Sequence, residues 1–515
     1  SMNDMILKDG RMPTSTPEEQ GIPSHAILWF LDQVEREHLD LHSLQIVRNG
    51  VLVADMVAAP FTRDSFHRIY SAAKGLVATA ILFTIQDGLY QLDEVVLPHI
   101  PAQWLPDNLD PRWKKLTLYH LLTMNTGHSQ DTLFKMWGGS DCWIKTFFEV
   151  KPAYEPGTYF CYDMGAQYVM NELIRLATGK DTGQYLNEKL FDKLGIEYQN
   201  QYTEPEGLFF SSTIQLKPDG LTKLSQFYLQ GGSWEGKQLL DSKLAKLLGE
   251  RQGPSRHYEY VRSGQFDNLG GYGLHMWRND LGGYRFAGGQ GQLGIIIPEE
   301  NLVISMLAAE HRSSRLINLI FEALYSEMYR RPVEAAPVLQ AELNRRLKQY
   351  NLAPRNVSDT SSLMDTISGK VYQLEQNTLR ADTISFQFTP DQAVITLGYS
   401  DHTSRQITCG LRGEWKESQE GFFLMKTSPQ KIADLDLIFG YDPNIVMFSG
   451  GWNGYNRFIF SMRSAALLCE FLFQFEFNGP DMTITLPFND YLPRTECRDS
   501  KFVPPKIQLL GHVCS

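Results

Sequence analysis

The period of the apolar residues changes near residue 333, and that change constrains the architecture more than any other feature of the chain. After Pro332 one helical stretch, Leu339 to Tyr350, leads into about 160 residues of short segments that alternate apolar and polar side chains. Ser385-Phe386-Gln387-Phe388, Ala393 to Leu397, Arg457 to Phe460, Glu470 to Phe475 and Met482 to Leu486 are examples, separated by Gly, Asn, Asp and Pro. Alternation of period two at that spacing suits a small antiparallel barrel or sandwich. No motif in this half carries chemistry.

Before residue 333, helical and strand patterns alternate. Ala26 to Glu37 has apolar Ile27, Leu28, Phe30, Leu31 and Val34 on one helical face. Leu44 to Val47 and Val51 to Ala54 flank Arg48-Asn49-Gly50, an Asn-Gly hairpin signal. Ser71 to Gln86 is apolar nearly all round and stops at Asp87-Gly88, which predicts a buried helix with a glycine just past its end. Further helices are expected at 117–124, 164–178, 184–193, 220–229, 241–248 and 313–330. Strands are expected at Gly273 to Trp277, Gly283 to Phe286, Leu293 to Ile297 and Leu302 to Leu307. One antiparallel sheet with helices on both sides brings the early hairpin and the late strands together, an α+β fold. The expected domains are 1–332, and 333–515 as a linker helix plus a C-terminal antiparallel β-domain.

Composition narrows the function classes. With 515 residues, a net charge of −11, 43% hydrophobic and 21% charged residues, the chain is neither disordered, collagenous nor coiled coil, and its length allows two or three domains. The acidic balance without a Lys/Arg tract offers no footprint for nucleic acid or anionic lipid. No stretch reaches the roughly 18 apolar residues that span a bilayer. The expected partner is a small-molecule or short peptide-like substrate, with no nucleic acid and no membrane; the sequence sets no oligomeric state. Ser1 reads as a residue added in expression ahead of a start at Met2, no leader-like apolar region follows, and a cytoplasmic location is expected. Cys142, Cys161, Cys409, Cys469, Cys497 and Cys514 form no CxxC pair and have no close His partner. They read as buried free thiols rather than as metal ligands or a disulfide framework, and no metal or cofactor is expected.

Three motif matches fail on context. Gly289-Gln290-Gly291-Gln292-Leu293-Gly294 has the dinucleotide glycine pattern, but Ile295-Ile296-Ile297-Pro298 follows where a helix must open. Gly231 to Lys237 has phosphate-loop spacing, but Gln238 stands where a Ser or Thr must reach magnesium; a polar turn between helices is the expectation. The Asn356-Val357-Ser358 sequon matters only in a secreted chain.

Ser71-Ala72-Ala73-Lys74 survives because of its position, opening the most apolar helix of the chain after an extended segment. Ser428-Pro429-Gln430-Lys431 has the same spacing in a polar turn and reads as chance. A serine in a first helical turn has backbone amides around its Oγ, and its own N–H can form half of an oxyanion hole. Lys74 is one turn along at a rise of about 4.5 Å, so its amine can meet that oxygen. Burial disfavours the ammonium form and suits a base, and nearby negative charge reverses the effect. The same residues also fit a plain reading, Ser71 as N-cap and Lys74 as a snorkelling side chain.

Two further features fit the chemistry. Tyr162, about 90 residues on, ends the run Pro156 to Tyr162, and a phenol beside a lysine can relay a proton to a leaving group; a packed core tyrosine is the alternative. The glycine-rich strand Ala287-Gly288-Gly289-Gln290-Gly291-Gln292 lets a substrate lie against backbone, and one N–H there can complete the oxyanion hole; a bulged strand is the alternative.

In this order the motifs resemble those of the serine hydrolases of the class C β-lactamase and penicillin-binding-protein superfamily, over roughly residues 15–332. Ser71-Ala72-Ala73-Lys74 is similar to the first motif, Asp87 to Asp93 to the segment after it, Leu118 to Gly127 to the helix and turn beside the active site, Tyr162 to the tyrosine of the second motif, and Trp234 to Leu240 to a late-helix approach. The resemblance implies a β-lactamase-like antiparallel sheet flanked by helices, Ser71 as nucleophile, Lys74 as base, Tyr162 as proton relay, and the Ser71 and Gly289 amides as oxyanion donors, with Gly288 and Gln290 beside them. The chain departs from the family where Tyr162-Asp163-Met164 replaces Tyr-Ser-Asn and where Phe286-Ala287-Gly288 replaces Lys-Thr-Gly or His-x-Gly. The first departure removes an amide that contacts a substrate carbonyl, the second a cation that pairs with a β-lactam carboxylate, and the resemblance is then to the branch of 6-aminohexanoate-oligomer hydrolases and β-lactamase-like esterases.

Between His128 and Tyr154 an aromatic loop carries Phe134, Trp137, Trp143, Phe147 and Phe148, and Trp137 and Trp143 are candidates for lining an acyl pocket; a small satellite core fits equally. Asp163 and His128 are polar residues near the site with no role fixed by spacing. The expected activity is hydrolysis of an ester or amide through an acyl-enzyme on Ser71. A non-catalytic or acyl-accepting protein of the same fold and a peptidase regulated by its C-terminal domain are the alternatives.

Overall fold

The structure is a computed structural model that describes residues 12–137, 141–200, 214–254, 270–377, 381–418, 446–464, 470–486 and 507–514. Contacts divide the chain into two units, one of residues 1–56 and 69–347, the other of 57–68 and 348–515. The division thus falls about one helix later than 332. Pro337–Lys348, expected to lead the second domain, goes with the first unit, because Leu343 and Leu347 are buried and Arg346 bonds Asp32 and pairs with Glu35 at 3.4 Å.

In the first unit, β1 (Leu41–Arg48) and β2 (Val51–Val57) form the early hairpin, and Asn49 and Gly50 have φ of 53° and 80°, the left-handed pair such a two-residue turn requires. With β3 (Trp277–Arg278), β4 (Tyr284–Gly288), β5 (Gln292–Ile297) and β6 (Leu302–Ala308) they make one sheet in the order β2-β1-β6-β5-β4-β3. Its register is antiparallel, with Ile46 opposite Ile304 and Ile304 opposite Ile295. β1, β5 and β6 are buried along their whole length, so both faces are covered and their apolar runs are nearly continuous.

The helices that matter for the site are α1 (Ser24–Arg36), α2 (Ala73–Gln86), α3 (Met164–Thr178), α4 (Gly220–Leu229) and α5 (Ser313–Tyr325). α4 packs on β5 and β6, closely enough that a Cβ on Gly294 would meet Ser225 Oγ at 2.5 Å. Every residue of α2 from Ala73 to Thr84 is buried, and Gly88, at φ 76°, follows its end. α3 and α4 end where periodicity placed them. The expected helix start at 71 is a 3-10 turn, Tyr70–Ala72, before α2 begins. Gly273 to Met276 are not a strand, because His275 has φ 59° and only Trp277–Arg278 joins the sheet. The segment 184–193 begins earlier, as Thr182–Leu186, then widens into a π-turn. α5 stops at Tyr325, and Gly231 to Lys237 folds as a small hairpin pairing Trp234 with Lys237.

The second unit is a closed barrel, which decides between barrel and sandwich. Nine strands ring it: β7 (Val371–Leu374), β8 (Thr383–Phe388), β9 (Gln392–Gly398), β10 (Ser404–Gly410), β12 (Val446–Trp452), β13 (Arg457–Arg463), β14 (Phe471–Asn478), β15 (Asp481–Leu486) and β16 (Ile507–Val513), while β11 (Lys416–Ser418) adds to β12. The bridge Gly410 to Ser449 between β10 and β12 closes the ring. Alternate residues point inward, and Phe386, Phe388, Trp452, Phe458, Phe460 and Phe475 dominate the core. Cys142, Cys161, Cys409 and Cys514 are free thiols, and Cys514 is exposed. Cys469, Cys497 and the Ser428 to Lys431 match lie outside the described residues. Among the described residues no group of three or more His, Cys, Asp or Glu is placed to hold a metal ion, and no helix is long and apolar enough to cross a membrane.

Candidate active site

Ser71 lies on the 3-10 turn that feeds α2, and Tyr70 before it has φ 46°, a left-handed conformation costly for a bulky side chain. That bend leaves Ser71 half-buried at the helix mouth. Lys74, one turn deeper and 1% exposed, donates from Nζ to Ser71 Oγ at 2.7 Å. Lys74 Nζ also sits 4.9 Å from the centroid of the Tyr162 ring. Lys74 therefore lies against both the Ser71 hydroxyl and the Tyr162 ring. The plain reading fails on both counts: the Ser71 hydroxyl engages Lys74, and Lys74 is buried rather than snorkelling to water.

Tyr162 is held from outside the motif. Its ring stacks on Trp277 at 5.8 Å and 20°, and Tyr272 meets Trp277 edge-on at 4.7 Å. Trp277 comes from the edge strand β3, and only the fold brings it beside Tyr162.

The glycine strand end lies against the serine turn. Gly288 pairs with Gln292 at the last rung between β4 and β5, and a Cβ on it would lie 2.0 Å from the Ile69 carbonyl oxygen. Gly289, just beyond, has open space where a Cβ would point. Its carbonyl accepts from Gln292 Nε2 at 3.1 Å, and the same buried amide nitrogen reaches the Ala308 carbonyl at 2.6 Å. Gln292 thus fixes the peptide that carries Gly289. Gln290 and Gly291, at φ 65° and 93°, make the turn, and the Gln290 carbonyl accepts the Glu310 N–H at 2.9 Å. Gln290 is buried in the turn.

The aromatic segment is not a loop. It forms two short helices, Leu133–Trp137 and Trp143–Glu149. Trp143 is buried in the core, its ring 5.1 Å from Tyr168, and Phe147 and Phe148 pack on Trp113 at 5.6 Å. Trp143 therefore belongs to the main core of the first unit rather than to a small satellite core, its helix turning its apolar side inward. The side chains of Trp137 and Phe134 lie outside the described residues.

Asp163 and His128 come together in a buried polar cluster. Asp163 Oδ1 caps α3 by accepting Gly165 N–H at 2.8 Å and also accepts the Thr132 N–H and hydroxyl at 3.0 and 2.8 Å. Its Oδ2 faces His128 Nδ1 at 3.3 Å, and His128 Nε2 donates to the Val150 carbonyl at 2.8 Å. Burial alone pushes the Asp163 carboxyl up, but the bonds from His128 and Thr132 outweigh it and hold the group below the usual carboxylate range. Asp131 accepts Leu133 and Met164 amides at 3.0 and 3.1 Å; burial first, and then the charge of Asp163, push its carboxyl up to about 7. His275 donates from Nδ1 to the Leu122 carbonyl at 2.7 Å, and burial pushes it down to about 3, with the charge of Lys74 acting the same way. Sequence reasoning missed Asp131, Gln292, Trp277 and His275. Asp131 has a local signal, an aspartate two residues before the amide it caps, but nothing in the sequence ties it to residue 163.

Residues 31–205 match the Beta-lactamase family. An uncharacterized protein of Alkalihalophilus pseudofirmus is 23% identical over 272 residues, covering 48% of this chain and 74% of that one. Penicillin-binding protein 4 of Amycolatopsis lactamdurans is 26% identical over 195 residues, covering 37% of this chain and 48% of its own length. Among solved structures, a protein described as a 6-aminohexanoate-dimer hydrolase from Bacillus anthracis has a TM-score of 0.49 at 18% identity, covering 63% of this chain and 87% of that one. The octameric penicillin-binding protein homologue of Pyrococcus abyssi has a TM-score of 0.45 at 12% identity, covering 94% and 99%. The stretch that matches the Beta-lactamase family contains Ser71, Lys74 and Tyr162.

Proposed function

We propose, from that family match and the site it contains, that the protein is a serine hydrolase cleaving an ester or amide bond of a small substrate through an acyl-enzyme on Ser71. The observation that carries the reading is the 2.7 Å bond between Lys74 Nζ and Ser71 Oγ at the mouth of a buried helix. Ser71 Oγ attacks the substrate carbonyl carbon as its proton passes to the Lys74 amine. The oxyanion that forms is met by the Ser71 and Gly289 N–H groups. Its collapse expels the leaving group, which takes a proton through Tyr162, and water then releases the acid from Ser71 by the reverse relay. The open space at Gly289 gives the acyl group room against backbone.

The departures from the family motifs bear on the substrate. Met164 brings no amide to a substrate carbonyl. Phe286, where relatives carry a cation, is fully buried, its ring filling the space beside Gly75. A carboxylate-bearing substrate such as a β-lactam then lacks a charge-assisted bond, of order 1.5–3 kcal/mol. Neutral esters and amides fit better.

A fluorophosphonate probe is expected to label the full-length protein on Ser71, and labelling is expected to vanish in Ser71→Ala and to fall at least about 100-fold in Lys74→Ala. A folded wild-type protein that stays unlabelled would falsify the reading. The same absences at Met164 and Phe286 favour a second reading, an acyl-accepting protein without turnover. A stable adduct with nitrocefin and no hydrolysis of p-nitrophenyl esters or short amides would select it.

A further inference from the structure

Trp277 takes no part in the steps above, yet one stretch of backbone ties it and Tyr162 together. Cys161 donates its N–H to the Met124 carbonyl at 2.9 Å and Gly157 donates to the Asn125 carbonyl at 2.7 Å, so the run that ends in Tyr162 is fixed along residues 124–125. On the other side, residues 271–278 fold back on themselves: Tyr272 bridges Trp277, and Arg278 donates its N–H to the Gly271 carbonyl at 2.9 Å. At the tip of that hairpin His275 gives both its N–H and its ring Nδ1 to the Leu122 carbonyl, at 3.1 and 2.7 Å. Residues 122–125 therefore hold the phenol and the indole in one register. Trp277, half-buried on the edge strand β3, stacks on Tyr162 at 5.8 Å and 20°, while Phe160 and Tyr272 meet its ring edge-on at 5.9 and 4.7 Å. Its face-on contact is thus with the ring that lies against Lys74 Nζ.

We propose that Trp277 is a positioning residue for departure of the leaving group, its indole holding the Tyr162 ring where the phenol can hand over a proton. The inference rests on the Ser71 acyl-enzyme reading. As the bond between the carbonyl carbon and the leaving atom breaks, that atom keeps the electron pair and takes the phenol proton. Lys74, which became an ammonium when it took the Ser71 proton, returns a proton to the phenolate, so the proton lost by serine ends on the leaving group. Such a transfer needs the phenol oxygen within hydrogen-bond reach of the leaving atom, and an error of about 1 Å costs on the order of 100-fold. An offset stack against a fixed indole restrains the ring in that place. The need for the proton depends on the leaving group: an alkoxide or an amine anion departs only as it is protonated, whereas p-nitrophenolate departs as the anion. Trp277 therefore acts on alkyl esters and amides far more than on activated esters, which makes it a determinant of the bonds the protein can cleave.

The test is kcat/KM of the full-length protein on ethyl butyrate and on p-nitrophenyl butyrate, for wild type, Trp277→Ala, Trp277→Phe, Tyr162→Phe and the double variant Tyr162→Phe/Trp277→Ala. Trp277→Ala is expected to lose at least about 10-fold more on the ethyl ester than on the p-nitrophenyl ester, and Trp277→Phe to keep the ethyl ester rate within about threefold of wild type. Tyr162→Phe is expected to show the same selectivity, and adding Trp277→Ala to it to cost less than about twofold more on the ethyl ester. Equal losses on the two esters, or losses that multiply in the double variant, overturn the proposal and leave Trp277 a purely structural residue. Should Trp277→Ala not fold, Trp277→Leu, which fills the space without an aromatic face, takes its place. A wild type that takes no fluorophosphonate label means that the acyl-enzyme reading has failed instead. Wherever the wild type cleaves neither ester, restraint of the ring decides the positioning. In protein carrying meta-fluorotyrosine, the Tyr162 resonance, identified by its loss in Tyr162→Phe, is expected to give two signals from a slowly flipping ring. The two are expected to merge in Trp277→Ala and to persist in Trp277→Phe. One averaged signal in the wild type, or two in Trp277→Ala, overturns the proposal.

Discussion

Gly288 and Gly289 are neighbours with opposite requirements, and they separate packing from chemistry. A Cβ at 288 would lie 2.0 Å from the Ile69 carbonyl and 3.0 Å from the Ala72 nitrogen, both backbone atoms of the turn that carries Ser71. Gly288→Ala is therefore expected to destabilise the protein by about 1–3 kcal/mol and to displace the serine turn. At 289 a Cβ would meet nothing within 4 Å. Gly289→Ala is expected to melt within about 0.5 kcal/mol of wild type, yet to lose about 10–100-fold in kcat/KM on an ester, because the methyl group occupies the space the acyl group needs. Thermal melts and ester kinetics on both variants check this, and equal activity loss without any difference in stability would remove the distinction. At this scale the sequence was legible for Ser71, Lys74 and Tyr162, since two of them share one helical turn and the third ends an extended run. It was silent about Gln292 and Trp277, whose roles depend on which strand lies next to which. At Trp143 it left two readings open, because a helix face and a pocket wall demand the same aromatic residues, and only the fold shows the ring packed in the core.

Among the elements, α3 shows how a cap can become part of a site. Periodicity placed its ends at 164 and 178, and in the structure Asp163 caps its start and Gly179, at φ 72°, follows its end. What periodicity could not show is that the capping oxygen of Asp163 also accepts two bonds from Thr132, more than 30 residues earlier. Asp163→Ala removes an acceptor from three buried donors and leaves His128 without its carboxylate. Its cost is expected to reach about 3–5 kcal/mol in urea unfolding, against about 1 kcal/mol for an ordinary exposed helix cap. A loss near 1 kcal/mol would show that the Thr132 and His128 bonds contribute little. The segment before Trp277 failed as a strand for the converse reason. Its residues suit extended backbone, but Gly273 packs so close to the Leu248 carbonyl that a Cβ would sit 2.2 Å from it, and His275 turns to φ 59° to donate both its N–H and its ring nitrogen to Leu122. Tertiary bonds overrode local propensity there.

Across the whole chain, the change of period near residue 333 marks where short alternating strands begin to replace the helices, after Pro337–Lys348, but it does not mark where the molecule can be cut. Period two is common to sandwiches and barrels, so only the bridge between Gly410 and Ser449, invisible in the sequence, decides for the barrel. The boundary was displaced for a similar reason. A helix with apolar Leu343 and Leu347 on one side reads as a linker until its partners are known, and those partners, Asp32 and Glu35, lie 300 residues earlier on α1. The second unit likewise takes in an early piece, residues 57–68. Ala59 donates its N–H to the Tyr350 carbonyl and accepts from Leu352 at 2.9 and 2.8 Å. A protein ended after residue 332 therefore loses the helix that Arg346 anchors on α1 and strands the 57–68 segment without the chain it bonds. That segment directly precedes the turn carrying Ser71. The fragment 1–332 is expected to aggregate, or to melt at least about 10 °C below the full chain and to label with fluorophosphonate far more slowly, whereas a regulatory second unit would leave a well-folded fragment with altered substrate preference. Size-exclusion chromatography, a thermal melt and the labelling rate distinguish the two, and a monomeric fragment that labels at the wild-type rate would show that residues 57–68 and 337–348 do not support the site.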